Sequence, residues 1–197
     1  MENSTLTPEQ SLLLISKTIE ETKKRFKENG HLFIFWGGLI LVVIGSQYML
    51  EFFQLHKVFD IAWTSILFPL GGIYTYIYVK KKVKKMNMPV TVIGNNLKHI
   101  TWIIGMNLMI MGFLFSDKLG DANGPVFIIL FSIMILVSGL SIKFKPMTVG
   151  GILVNLIGLL CFILHPMYYG YSIMLAAIVG FIIPGILLNI ANKKENV

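Results

Sequence analysis

The stretch Val149–Ile190 reads VGGILVNLIGLLCFILHPMYYGYSIMLAAIVGFIIPGILLNI and holds no Asp, Glu, Lys or Arg. His165-Pro166 interrupts it and leaves an apolar run on either side. A helix crosses a bilayer with roughly 20 largely apolar residues, so two runs joined by a short turn describe a membrane hairpin. The same character recurs upstream, at Leu32–Phe53, Val58–Val79, Ile100–Phe115 and Pro125–Ser141. With Val149–Leu164 and Tyr168–Ile190 that makes six expected spans. Only Glu51 and Asp60 bring formal charge inside these limits, and both lie near a span end. The 197 residues are 55% hydrophobic and 14% charged, with mean hydropathy +0.72. A soluble domain of this length cannot hide so much apolar surface. The expected fold is all-α: a polytopic integral membrane protein with six transmembrane helices.

Three glycine triplets keep one spacing. They are Gly38, Gly45 and Gly72; Gly105, Gly112 and Gly139; and Gly151, Gly158 and Gly185. In each, the second glycine follows the first by 7 residues and the third follows it by 34. Ser65 and Ser132 also align, each 7 residues before the third glycine of its triplet. Small residues let helix backbones approach in lipid, so these nine are candidate helix-packing positions. The spacing predicts three parallel hairpin repeats, over residues 32–79, 99–144 and 145–190. Eighteen glycines, several in doublets, also offer coincidental registers.

The charges orient the hairpins. The net charge is +7 and the pI about 9.5. In a soluble chain that balance would suggest nucleic acid; here the placement of charge excludes it. Five basic residues precede the first span, and six lie at Lys80–Lys98. Lys143, Lys145, Lys193 and Lys194 fall on the same side, against Lys57 and Lys118 on the other. The positive-inside rule places both termini in the cytoplasm. Residues 80–98 are then a basic cytoplasmic loop and 191–197 a cytoplasmic tail. The KKKVKK run reads as a topology signal, and such loops can also meet anionic lipid.

Residues 1–31 form a separate cytoplasmic element. Thr7-Pro8-Glu9-Gln10 is a helix start with a capping box, and Asn29-Gly30 is a stop. Between them Leu12, Ile15, Ile19, Thr22 and Phe26 make one apolar stripe. Leu12, Ile15, Ile19 and Phe26 are the candidate partner or membrane-surface face of this amphipathic helix. Three occupants fit it: the inner leaflet, the chain's own bundle, or a protein partner.

Chemistry has little to work with. The polar residues inside the spans are Gln47, Asn107, Asn155 and Asn189, candidate intramembrane contacts between helices. A substrate path would use the same amides, with Tyr48, Tyr74 and Tyr76. Pro69 and Pro184 would kink their helices. Glu51, His56, Asp60, Asp117, Asp121 and His165 fall singly on the outer side, without metal-ligand spacing. Cys161, the one cysteine, reads as a small apolar packing residue. No nucleophile elbow, H-E-x-x-H or phosphate loop is present, so neither catalysis nor a cofactor is expected.

The segment Glu9–Ile40, EQSLLLISKTIEETKKRFKENGHLFIFWGGLI, resembles the start of uncharacterised small polytopic bacterial membrane proteins. The glycine hairpins are similar to the HdeD-like acid-stress membrane proteins. These resemblances imply a bacterial cytoplasmic (inner) membrane and no defined active site. The expected function is non-enzymatic: interaction, regulation or envelope stress, through a protein partner or a homo-oligomer. The alternative is a small oligomeric transporter or channel with a polar path between the spans.

Overall fold

A computed structural model describes residues 7–27, 30–53, 57–86 and 92–195. Residues 1–6 and 28–29 of the expected N-terminal element, His56, residues 87–91 of the expected basic loop, and 196–197 of the tail lie outside these. Among the described residues the regular structure is all helical. Helix α1 (Pro8–Lys27) begins with the expected capping box. Thr7 N–H donates to Gln10 Oε1 at 3.1 Å, and Gln10 N–H donates back to Thr7 Oγ1 at 3.3 Å. Then follow α2 (Gly30–Phe52), α3 (Lys57–Met86) and α4 (Val92–Leu114). The short α5 (Ser116–Leu119) and a single 3-10 turn lead into α6 (Asn123–Ser141). Helix α7 (Lys145–Cys161) follows, and α8 (Tyr169–Ala177) and α9 (Ile183–Glu195) are joined through a π-helical turn.

Four segments are long and apolar enough to cross a membrane: Gly30–Leu50, Gly94–Leu114, Ser116–Ser141 and Pro166–Ala191. Helix α7 is apolar but shorter. Much of the segment expected as a basic loop is helical instead. Helix α3 runs on through Lys80–Lys85 to Met86, and α4 starts at Val92. Lysine is a good helix former, and neither stretch contains a proline to stop it.

The centre of the molecule is the antiparallel pair α6–α7. Four rungs hold it. A Cβ added at Gly139 would lie 2.7 Å from Thr148 N, and one at Gly151 would lie 3.0 Å from Leu136 N. One at Gly158 would lie 3.2 Å from Ile129 N. The remaining rung is polar, with Asn155 Nδ2 donating to Ser132 Oγ at 2.9 Å. The rungs step by three and four residues along both helices, the spacing of one helix face. Beside them Ile128, Ile135, Ile142, Met147, Val154 and Cys161 are all fully buried. The turn that closes the hairpin is a Schellman motif. Phe144 N–H reaches Gly139 O at 3.0 Å, and Lys143 takes the left-handed conformation at φ 51°.

The helix α8–α9 lies on α7, and Pro184 explains its π turn. Proline has no N–H and crowds the carbonyl four residues earlier, so one widened turn at Ile178–Ile182 absorbs the mismatch. Helix α7 seats against that turn through Gly150, whose added Cβ would meet Val179 O at 2.8 Å and Pro184 Cγ at 3.2 Å. Helix α2 runs antiparallel along α8–α9. Gly30 meets Gly185, Gly37 meets Ala177, Phe181 and Ile182, and Gly170 meets Tyr48. Helix α3 packs outside α2, and α4 outside α6.

The three glycine triplets have unlike surroundings. Gly151, Gly158 and Gly185 are all enclosed, and so is Gly139. Gly112 faces Phe127, at 3.1 Å. Gly38, Gly45, Gly72 and Gly105 have nothing within 4 Å of an added Cβ, so no close approach in this chain requires them. In the doublets Gly37-Gly38 and Gly71-Gly72 it is the first glycine that packs. One residue turns the helix face by about 100°, enough to exchange a neighbouring helix for open space. The α6–α7 pairing also joins helices from different expected repeats, because its three-residue turn brings their glycines opposite each other.

This contrast is measurable. Gly139→Val, Gly151→Val and Gly158→Val are each expected to cost about 1–3 kcal/mol by overpacking. Gly38→Ala and Gly72→Ala are expected to be neutral, or to gain up to about 1 kcal/mol from helix propensity. Thermal unfolding of the variants in detergent micelles checks both.

Candidate functional site

The four span amides do not converge. Gln47 is half-buried near the end of α2, whereas Asn189 of α9 lies against Gly30 at its beginning. Seventeen residues separate these levels, which is roughly 26 Å of helix. Asn155 is committed to Ser132, whose own hydroxyl donates to Ile129 O at 2.7 Å. This chain of two bonds lies inside the core, where Ser132 is 0% exposed. Asn107 of α4 is different: it is exposed, and it makes no hydrogen bond among the described residues.

The tyrosines are likewise dispersed. Tyr48 stacks on Tyr171 with ring centroids 5.0 Å apart. Tyr74 leans on Phe35 at 4.6 Å, and Tyr76 is exposed beneath Lys80, whose Nζ lies 5.8 Å from the ring centroid. A polar link between α2 and α3 had no local signal in the residue pattern. Trp36 Nε1 donates to Thr75 Oγ1 at 3.0 Å, and Thr75 Oγ1 donates to Gly71 O at 2.8 Å. A threonine bonded back into its own helix can still accept an indole N–H, so both polar groups are satisfied without water. His31 sits on the same side, its ring 4.3 Å from that of Tyr78 in an edge arrangement.

The turns that precede α6 and α8 are closed by local hydrogen bonds. Asn123 Nδ2 donates to Ser116 Oγ at 3.0 Å, spanning the turn that carries exposed Asp117, Lys118 and Asp121. Gly120 adopts φ +49° there, a conformation glycine takes at no steric cost. His165 Nδ1 accepts from Met167 N–H at 3.4 Å and so caps the 3-10 turn Pro166–Tyr168 that leads into α8. Among the described residues no group of three or more His, Cys, Asp or Glu gathers. The side chains of Glu51 and Asp60 lie outside the described residues, as does His56. A cleft of about 310 Å³ opens on α8 and is lined by Leu164, Tyr168, Tyr171, Ser172 and Leu175. Its walls are almost wholly apolar, which suits an acyl chain and not a polar substrate.

On α1, Leu12 and Ile15 are exposed and Ile19 is half-buried. The side chains of Thr22 and Phe26 lie outside the described residues. Leu13 and Leu14 are exposed as well, so the apolar surface is broader than the expected stripe. No protein-family model, no curated protein and no solved structure matches the chain.

The polar rung can be weighed directly. Asn155→Leu is expected to cost about 0.5–2 kcal/mol, the range of interhelical hydrogen bonds in membrane proteins. A double-mutant cycle with Ser132→Ala, read by denaturant unfolding in micelles, should return a coupling of about 0.6 kcal/mol or more.

Proposed function

We propose that this chain is a non-enzymatic, six-span protein of the bacterial cytoplasmic membrane, and that α1 is its cytoplasmic contact with a regulatory protein partner. The exposed apolar run Leu12–Ile15, on a helix that precedes the spans, carries this reading. Its residues are 68%, 71%, 55% and 55% exposed. Helix α1 touches α4 and α9 of its own bundle, yet its leucines stand exposed on more than one face, which suits a hydrophobic groove. Leucine clusters of this kind on otherwise charged surfaces mark interaction sites.

The six-span count adds α3 and α7 to the four long apolar segments. Helix α7 has 17 residues, or roughly 26 Å, close to the hydrocarbon thickness. Helix α3 contains the apolar run Val58–Val79 and ends in lysines. The hairpins then enter from the cytoplasm, with the lysine-rich ends inside. Tyr74, Tyr76 and Lys80 would sit at headgroup level, where aromatic rings and snorkelling lysines are favoured. The commitment of Asn155 to Ser132 and of Trp36 to Thr75 supports amides and hydroxyls that fasten helices, rather than a polar path through them.

Two experiments test this. Reporter fusions at Lys82 and Lys194 should be cytoplasmic and one at Asp121 external; the reverse pattern would overturn the orientation. Replacing Leu12, Ile15 and Ile19 together by serine should lower partner capture in a crosslinked pull-down by about tenfold or more, as loss of a hot-spot cluster does. Insertion into the membrane should be unchanged. Capture that survives the triple substitution removes α1 from the contact.

A further inference from the structure

Helix α4 is the least covered of the four long apolar segments. Only 11% of its apolar window is buried inside the chain, against 22%, 33% and 39% in the others. One face of α4, marked by Leu97 and Leu108, is buried. A side of α4 turned about 100° from that face carries Asn96, the half-buried Ile100, Ile103, Asn107, Ile110 and Leu114, spaced four, three, four, three and four residues apart. That is the heptad spacing of a helix–helix seam, with Asn107 and Leu114 at one set of core positions and Ile103 and Ile110 at the other. Ile103, Ile110 and Leu114 are 60%, 39% and 72% exposed.

Asn107 decides what covers this seam. It lies well inside the span Gly94–Leu114 and is exposed, with no hydrogen bond among the described residues. An amide left in hydrocarbon without a partner is unfavourable, because no water is there to replace the bond. We propose that a second copy of this chain covers it, in a parallel two-fold dimer built on α4. Two copies inserted in the same sense are related by an axis along the membrane normal, so each residue meets its equivalent at the same depth. An amide has one carbonyl acceptor and an NH2 donor, so Asn107 facing Asn107 of a second copy satisfies both reciprocally. Few other side chains are complementary to themselves in this way. A buried asparagine at such a seam position also fixes register and favours a defined oligomer.

The proposal rests on the membrane-spanning reading of α4, and the test separates the two. Full-length chain is expressed in bacterial membranes with single cysteines, and dimers are trapped by oxidation. The native Cys161 is 0% exposed and serves as the background. Ile103→Cys and Ile110→Cys should yield a product of twice the 22.2 kDa chain mass. Trp102→Cys and Met109→Cys should not, although those positions are 52% and 43% exposed. Adding Asn107→Leu to Ile110→Cys should lower the dimer yield at least about tenfold, whereas Asn107→Gln should retain most of it. Both variants should stay in the membrane fraction, since the side chain is exposed within one copy. A chain absent from that fraction would defeat the membrane reading. A membrane-inserted chain that crosslinks equally from all faces, crosslinks from none, or ignores Asn107→Leu would defeat the dimer. So would a product of another mass.

Discussion

The backbone contact between α6 and α7 is the constraint on which the rest of the bundle depends. In water, burying apolar side chains would hold two such helices together. In lipid that driving force is absent, and close packing and interhelical hydrogen bonds take its place. Gly139, Gly151 and Gly158 remove the side chains that would hold the two axes apart, and Ser132 with Asn155 supplies the hydrogen bond between them. The flanking Ile128, Ile135, Met147 and Val154, all fully buried, then fill the space beside the contact. The left-handed Lys143 in the connecting turn is the local concession that makes so short a hairpin possible.

The other helices are arranged from this pair outward. Gly150 faces away from α6 and receives the widened turn before Pro184, which sets where α8–α9 lies. That helix offers Gly170, Ala177 and Gly185 to α2, and α2 answers with Tyr48, Gly37 and Gly30. A proline that looks like a weak point in an apolar run thus becomes a docking feature. The lost hydrogen bond is confined to one π turn, and a glycine on the neighbour fits against it. Moving away from the centre, small residues give way to aromatic ones. Helix α3 is fastened to α2 through Trp36, Thr75, Phe35 and Tyr74.

Much of this architecture was legible in the sequence. The apolar runs marked helices because length and hydropathy are local properties. The capping box at Thr7 and Gln10 was legible for the same reason, since both partners lie within one turn. The glycine spacing was informative in part. It picked out Gly139, Gly151, Gly158 and Gly185, which are closely packed, together with Gly38, Gly45, Gly72 and Gly105, which are open. It passed over Gly30, Gly37, Gly71, Gly150 and Gly180, all of them in contact. A repeat spacing records where glycines stand along the chain and not which way each helix is turned. Of the candidate amides, Asn155 could be suspected of a partner, but nothing local named Ser132, 23 residues away.

The sequence by itself determined where the apolar helical segments lie and where the basic residues punctuate them. Each of these follows from residue type read over a turn or a span. Only the tertiary structure decided which side of each helix meets another helix. It chose Gly37 over Gly38, paired Asn155 with Ser132, and left Asn107 outside. The physical reason is that lipid tails and aliphatic side chains are about equally apolar. Hydropathy therefore does not separate a lipid-facing surface from a helix-facing one, and close packing between specific backbones has to make that distinction.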